Sequence, residues 1–156
     1  MEAQELFQHW NDVRRGLLTA LDKLSDAQLD FKPRPELWSL RETVVHIAGT
    51  EQGWLRCYTA NRWHAAPPQA ADYPTLEALK ALLAREHALT EKQFTLSSDS
   101  SAGNTLDAAL AQVCALPWGA QATMGWAVWH VIEHEIHHRG EVYLMLGLMG
   151  IEAPDV

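Results

Sequence analysis

The chain has 156 residues, of which 47% are hydrophobic, a composition typical of one globular domain over residues 1–156. The formal net charge is −8, and no Lys/Arg cluster stands out. These features argue against nucleic acid or an anionic membrane as a partner, because both are bound through cationic contacts. The longest apolar run, VYLMLGLMGI, is shorter than the ~20 residues that span a bilayer.

The amino terminus, MEAQELFQHWND, lacks the basic and apolar regions of a signal peptide. The two cysteines, Cys57 and Cys114, form no CxxC pair and are interpreted as buried, reduced thiols. We therefore expect a cytoplasmic protein; a disulfide between the two is the alternative that the sequence leaves open.

Helical periodicity dominates the chain. Apolar residues recur at steps of three and four residues, and no segment alternates convincingly with a period of two, so no sheet is expected. The pattern predicts an all-α four-helix bundle with a short additional helix before the last long helix. The predicted helices cover about residues 2–24, 40–60, 75–94, 105–116 and 123–148.

Local signals refine the second helix. Ser39 to Glu42, SLRE, is a capping box that predicts its start. Gly49 and Gly53 lie one turn apart inside this helix, and we expect them to permit close approach of a neighbour. Trp38, which follows a proline-bearing segment, is expected to fill the core where the chain re-enters the bundle.

The last long helix contains WHVIEHEIHHRGE, with four of the eight histidines of the chain. At about 100° per residue, His130, His134, His137, His138 and Glu141 point to one side, which apolar residues share or flank. Buried imidazoles need hydrogen-bond partners, and a metal ion meets that need. Histidines at i and i+4 can bind one ion, so His134 and His138 are the first two candidate ligands.

His46 is the best-placed third ligand, since it lies on the second helix among Val44, Val45 and Ile47. His9, His64 and His87 lie beside polar or charged residues or in a loop and compete poorly.

Each ligand candidate also has a plainer interpretation. His46 alone could be a satisfied core histidine, and the pair on the last helix could be a surface coincidence. His130 and His137 are assigned second-shell or surface roles, and Glu141 either orients a histidine or is solvated.

Two known motifs fit poorly. His134, Glu135 and His138 form HExxH, the zincin pattern with Glu135 as general base, but the extended form needs Gly at 141 and His at 144, where Glu141 and Leu144 stand. A di-iron bundle needs two ExxH motifs, and only the one from Glu135 to His138 is found. A mononuclear site is therefore expected.

Trp38, Ser39 and His46, followed by H-x-x-x-H-R-G from His134 to Gly140, resemble the DinB/YfiT-like superfamily of metal-dependent four-helix bundles. The resemblance implies that His46, His134 and His138 hold the metal, the same set that helical geometry selects. It also implies a homodimer. Some members are transferases that use bacillithiol, mycothiol or a related thiol, and others are hydrolases or isomerases. Members often carry Gln after HRG, where this chain has Glu141.

We therefore expect one divalent ion, zinc or nickel, with iron or manganese as alternatives. Three neutral imidazoles leave an open position, where a thiol or water would be activated toward a small electrophile. Glu135 or Glu141 would move protons. The alternatives are a stress-associated, non-catalytic dimeric metal-binding bundle and a metal-free bundle.

Overall fold

The computed structural model describes residues 3–57, 66–97, 105–116 and 118–155. Its main elements follow the predicted order, with one short hairpin inserted before the last helix. In chain order they are α1 (Ala3–Leu21), α2 (Leu40–Gln52), a π-helical turn (Gly53–Cys57), α3 (Leu76–Ser97), α4 (Leu106–Ala111), β1 (Val113–Ala115), β2 (Gln121–Thr123) and α5 (Met124–Leu148).

The four long helices pack as a bundle, so the predicted fold class is confirmed. Helix α5 packs against both α1 and α2, and α2 also packs against α3. The short α4 lies against α5, as the extra helix before the last long one. The two helices that carry the candidate metal ligands, α2 and α5, are therefore direct neighbours.

The start of α2 is set by the predicted capping box. The Ser39 hydroxyl accepts a hydrogen bond from the backbone N–H of Glu42, and the Glu42 carboxylate accepts one from the backbone N–H of Ser39 at 2.7 Å. His46 follows one turn later, so this cap fixes where the first candidate ligand lies. The end predicted near Ala60 lies outside the described residues.

Gly49 of α2 and Gly53 of the π-helical turn differ in how closely neighbouring atoms approach them. A Cβ atom on Gly49 would lie 3.2 Å from Cδ of Pro68, so the predicted close approach is confirmed there. A Cβ atom on Gly53 would meet nothing within 4 Å among the described residues, so no close approach is found for Gly53 in that part of the chain.

The expectation of no sheet was wrong. Strands β1 and β2 pair in antiparallel register, with Cys114 opposite Ala122, and Gly119 in the connection adopts a φ of +85°. Each strand has three residues, too few for a period-two pattern to stand out from a helical one. Thr123 ends β2 and also caps α5, because its hydroxyl accepts from the N–H of Trp126.

The remaining local predictions have mixed outcomes. Trp38 does not fill the core: it is 47% exposed. The thiol of Cys114 is free and partly buried, whereas the side chain of Cys57 lies outside the described residues. Across the described part of the chain, no helix is both long and apolar enough to cross a membrane.

The core consists of two apolar clusters stacked along the bundle. One contains Leu17 of α1 and Val142 of α5, and the other contains Trp10 of α1 and Ile132 of α5. Between them, α1 places Arg14 and α5 places Glu135, both of which are buried. A polar layer therefore crosses the bundle between two apolar halves.

The carboxylate of Glu42 makes the stability of α2 depend on pH. Hydrogen bonds from the backbone of Ser39 and from Lys32 lower the pKa of Glu42 from 4.5 to about 2. A carboxyl group whose pKa is lower in the folded state stabilises that state when it is ionised. This stabilisation is complete above pH 4.5, the unfolded-state value, and is lost as the pH falls toward about 2.

Glu42→Gln retains a capping-box side chain and removes the charge. We expect its free energy of unfolding, measured by urea titration of metal-free protein, to lie below that of the wild type at pH 7. The gap should narrow as the pH falls below about 4.5. Glu36→Gln, a change at an exposed position in the same segment, should show no such pH dependence. A gap for Glu42→Gln that is the same at all pH values would contradict the assignment.

Candidate metal centre

Three imidazoles from α2 and α5 converge on one point. Nε2 of His134 lies 2.9 Å from Nε2 of His46 and 3.1 Å from Nε2 of His138. Nitrogens bound ~2.1 Å from one ion, with angles of ~90–110° between them, lie ~3.0–3.4 Å apart. These two separations are close to those of ligands on one divalent cation, and the ligand atoms of all three residues lie within 4.8 Å of one another.

The positions of the three histidines follow from helix geometry. His134 and His138 are one turn apart on α5, and their rings meet at 4.3 Å between centroids. His46 reaches them from α2, with its ring centroid 4.7 Å from that of His134. Trp38 packs on the other side of His46 at 4.5 Å, which restricts the rotation of this ring.

Glu141 orients His138. The Nδ1 atom of His138 lies 2.7 Å from Oε2 of Glu141. A carboxylate only accepts, so Nδ1 carries the hydrogen and Nε2 presents its lone pair toward His134 and His46. A ligating histidine whose other nitrogen donates to a carboxylate is the usual arrangement around protein-bound metals.

The hydrogen-bonding chemistry of the three nitrogens also fits a cation. With a lone pair on Nε2 of His138, an N–H on His134 Nε2 could point at His138 or at His46. That single hydrogen can serve only one of the two contacts, so the other contact, at about 3 Å, would have no hydrogen bond. If Nε2 of His134 carried no hydrogen, its lone pair would face that of His138. A divalent ion accepts all three lone pairs and removes this conflict.

The site favours neutral imidazoles. Burial, and then the nearby rings of His138 and His46, lower the pKa of His134 to about 3. Burial and His138 also lower the pKa of His46, while Glu141 acts in the opposite direction. The lone pairs of these two residues are therefore available at neutral pH without the loss of a proton.

The other histidines of α5 lie outside this set. His137 is exposed and its Nε2 contacts Glu141 at 3.3 Å. His130 stacks on Trp126 with nearly parallel rings, 5.2 Å apart, and its ring lies 6.5 Å from that of His134. Both positions agree with the second-shell or surface roles expected from the sequence.

Both carboxylate oxygens of Glu135 accept hydrogen bonds from buried side chains. Its Oε1 accepts from Nε of Arg14 at 2.6 Å, and its Oε2 accepts from Nη2 of Arg14 and from Nε1 of Trp10, both at 2.8 Å. The residue is 1% exposed. Because both oxygens are occupied by buried donors, the contacts of Glu135 favour a structural role over the general base that HExxH implies.

Arg14 of α1 links α2 and α5, the two helices that carry the candidate ligands. Its Nη2 also donates to Oε2 of Glu51 on α2 at 2.9 Å, and its Nη1 donates to the carbonyl of Leu83 on α3. Burial by itself would lower the pKa of Arg14, but Glu135 and Glu51 outweigh it and raise the pKa above its usual range. Arg14 is thus a permanent cation between carboxylates of α2 and α5.

His87 extends this layer to α3. Its Nδ1 lies 3.3 Å from Oε1 of Glu51, and its Nε2 lies 2.9 Å from Oδ1 of Asn11. Burial would raise the pKa of Glu51, but the hydrogen bond from His87 and the charge of Arg14 lower it. His87 follows Arg85 and Glu86, which suggests a solvated stretch of helix, whereas the structure buries its side chain.

Fold and site together define a class of protein, a helical bundle whose second and last long helices offer three imidazoles to one cation position. A sequence model of the DinB family matches residues 1–156. The chain belongs to the DinB family.

A solved structure agrees with this assignment at the level of the fold. A DinB-like protein from Bacillus cereus ATCC 10987 is 19% identical to the chain and superposes with a TM-score of 0.66. The match covers 98% of this chain and 96% of the other. No curated protein matches the sequence.

We expect His46→Ala, His134→Ala and His138→Ala each to abolish stoichiometric binding of Zn²⁺ or Ni²⁺, because two imidazoles hold an ion far more weakly than three. The measurement is elemental analysis and metal titration of untagged protein. His137→Ala, an exposed change beside His138, is the matched control and should retain the ion. Full metal content in the His46→Ala and His138→Ala proteins would contradict the site.

Arg14→Met should destabilise the metal-free fold by about 3–5 kcal/mol, because it leaves the carboxylates of Glu51 and Glu135 buried without their cation. Urea unfolding followed by circular dichroism measures the loss. Arg15→Met is the matched control: it removes the neighbouring arginine, whose side chain is 74% exposed and pairs with Asp12 on the surface. Its effect should remain within about 0.5 kcal/mol, and equal losses for the two variants would contradict a structural role for the buried layer.

Proposed function

We propose that this protein is a metal-dependent enzyme that activates a thiol or water nucleophile toward a small electrophilic substrate, as a thiol S-transferase or a hydrolase. The single observation that supports this is the convergence of three imidazoles with no fourth protein ligand among the described residues. Among the described residues, no other His, Cys, Asp or Glu ligand atom joins the group formed by His46, His134 and His138. A closed structural site would use four protein ligands.

The chemistry at such a site follows from the charge of the ion. If the ion is zinc, a water at the open position beside His46, His134 and His138 would have its pKa lowered to ~7, and a thiol there would be deprotonated. Zinc and nickel suit three imidazoles, and iron or manganese remain alternatives for the same ligands.

The residues around the site would position the reactants. Glu141 holds His138 through Nδ1 and, at 41% exposure, lies at the rim where a proton can pass to solvent. The hydroxyl of Thr50 lies 3.4 Å from Nε2 of His134 and offers a polar contact beside the ion position. We assign Glu141 as a positioning residue and leave Glu135 to the buried ion pair with Arg14.

Two clefts lie near the site. One, of about 480 Å³, is bordered by His46, Thr50 and Trp54. The other, of about 300 Å³, is bordered by Trp38 and Glu141. The presence of one cleft lined by His46 and a second beside Trp38 supports a reaction between two small molecules, one of which would be a low-molecular-weight thiol.

A second function is a non-catalytic, dimeric metal-binding bundle. The exposed Leu144 and Leu148 on the outer face of α5 support it, because apolar residues one turn apart on a helix are common at subunit contacts. Both functions predict a stoichiometric bound metal ion, but only the enzyme predicts substrate turnover.

The test is an assay of untagged, metal-loaded protein with glutathione, bacillithiol or coenzyme A and the electrophile 1-chloro-2,4-dinitrobenzene, and with p-nitrophenyl acetate for hydrolysis. We expect metal-dependent turnover whose kcat/KM falls at least about 100-fold in His138→Ala, in line with the loss of a metal ligand. His137→Ala should retain it. Stoichiometric metal with no turnover of any pair would favour the non-catalytic bundle and overturn the enzyme.

A further inference from the structure

A cleft of about 300 Å³ lies at the rim of the bundle, between the segment before α2 and the last turns of α5. It is within the size range of small-molecule sites. Much of its wall is apolar, although it is open to solvent: Leu37 and Trp38 are each 47% exposed and Leu144 is 61% exposed. The lining residues are Pro33, Glu36, Leu37, Trp38, Thr43, Glu141, Leu144 and Met145.

The walls of this Trp38 cleft contact the candidate metal ligands directly. The ring of Trp38 lies 4.5 Å from the ring of His46 and 6.0 Å from that of His138. Glu141, on the opposite wall, binds Nδ1 of His138. A molecule in the cleft would therefore lie beside two of the three imidazoles, separated from them by one indole ring.

The charges of the cleft select against anions. Its lining contributes two carboxylates, Glu36 and Glu141, and no lysine or arginine. Lys32 is paired with Glu42 at 2.9 Å, and Arg34 with Glu36 at 3.8 Å, so Glu141 is the lining carboxylate without a Lys or Arg partner among the described residues. An anionic group would meet negative charge and apolar carbon, whereas an uncharged alkyl or aryl group would bury its surface against Trp38 and Leu144.

We propose that the Trp38 cleft binds the apolar, uncharged part of the substrate, an alkyl or aryl group, and discriminates against carboxylate-bearing or phosphorylated molecules at this position. The inference rests on the proposed function, since it names the electrophile's binding site beside the ion. Any charged portion of a thiol cosubstrate lies outside this cleft.

The experiment uses two probes of nearly equal size that differ in charge, 4-fluorobenzyl alcohol and 4-fluorobenzoate. Their dissociation constants are measured by fluorine NMR on the metal-free and the Zn²⁺-loaded chain. We expect the neutral probe to bind at least about tenfold more tightly than the anion in the metal-free state, where no ion can be ligated by the carboxylate. With Co²⁺ in place of Zn²⁺, the fluorine signal of the bound neutral probe should broaden, because the cleft adjoins the ligands.

Leu144→Arg locates the probe, because it places a cation in the cleft at an exposed position and leaves the ligands intact. We expect it to weaken the neutral probe and strengthen the anion, which reduces the tenfold preference to threefold or less. Leu148→Arg is the matched control: Leu148 lies one turn further along α5, is 58% exposed and does not line the cleft. It should keep the wild-type preference.

Equal binding of the two probes, or equal effects of Leu144→Arg and Leu148→Arg, would overturn the proposal. It is also overturned if sedimentation shows that Leu144→Arg dissociates a dimer while the binding of both probes is unchanged, because the apolar surface then serves a second copy of the chain. Failure of the protein to bind any divalent ion would instead refute the proposed function, and the preference of the metal-free protein would still test the cleft.

Discussion

The bundle depends on one buried guanidinium. Arg14 donates to Glu135 of α5, to Glu51 of α2 and to the carbonyl of Leu83 on α3, so a side chain of α1 ties all four long helices together. Buried ion pairs add little net stability relative to well-packed apolar side chains, but an arrangement that separates the charges is strongly disfavoured. We therefore expect this polar layer to set the register of the helices and to add little to the net free energy of folding. The two apolar clusters on either side supply the stabilisation that comes from hydrophobic burial.

This register is what brings the candidate ligands together. Glu135 directly follows His134 on α5, and Glu51 directly follows Thr50, which lies one turn after His46 on α2. A shift of either helix by one residue would carry the imidazoles out of contact and would leave Arg14 without one of its carboxylates. The HExxH pattern is thus divided between two tasks: its histidines face the seam between α2 and α5, while its glutamate faces α1. A zincin needs that glutamate free beside the ion, and here two buried donors occupy it.

The sequence predicted those features whose signals are local. The order of the helices follows from periodicity, the start of α2 from Ser39 and Glu42, and the pair on α5 from its i, i+4 spacing. His46 was selected because it lies on a second helix beside apolar residues, whereas the histidines outside α2 and α5 have polar neighbours or lie in a loop. The ion pair between Arg14 and Glu135 was missed because the two residues are 121 positions apart, and a charged residue on a helix is ordinarily solvated. Trp38 was misplaced because its size suggested the core, whereas it covers His46 at the rim. The hairpin β1–β2 was missed because three-residue strands carry almost no periodic signal.

The position of the polar layer explains why a reactive site can lie at the rim of this bundle. The side of α5 that faces the interior is held by Arg14 and Trp10, so the backbone that carries His134 and His138 is fixed without any contribution from the solvent side. The solvent side of α5 therefore need not supply a complete set of metal ligands. It offers three imidazoles, no fourth protein ligand among the described residues, and an apolar cleft beside them. Burial keeps the pKa of His134 at about 3, so the imidazole offers a lone pair, not a positive charge, to an arriving cation. The contacts of Arg14 and Trp10 with Glu135 give the preorganised support that the proposed metal chemistry would need, and the open face is where its reactants would enter.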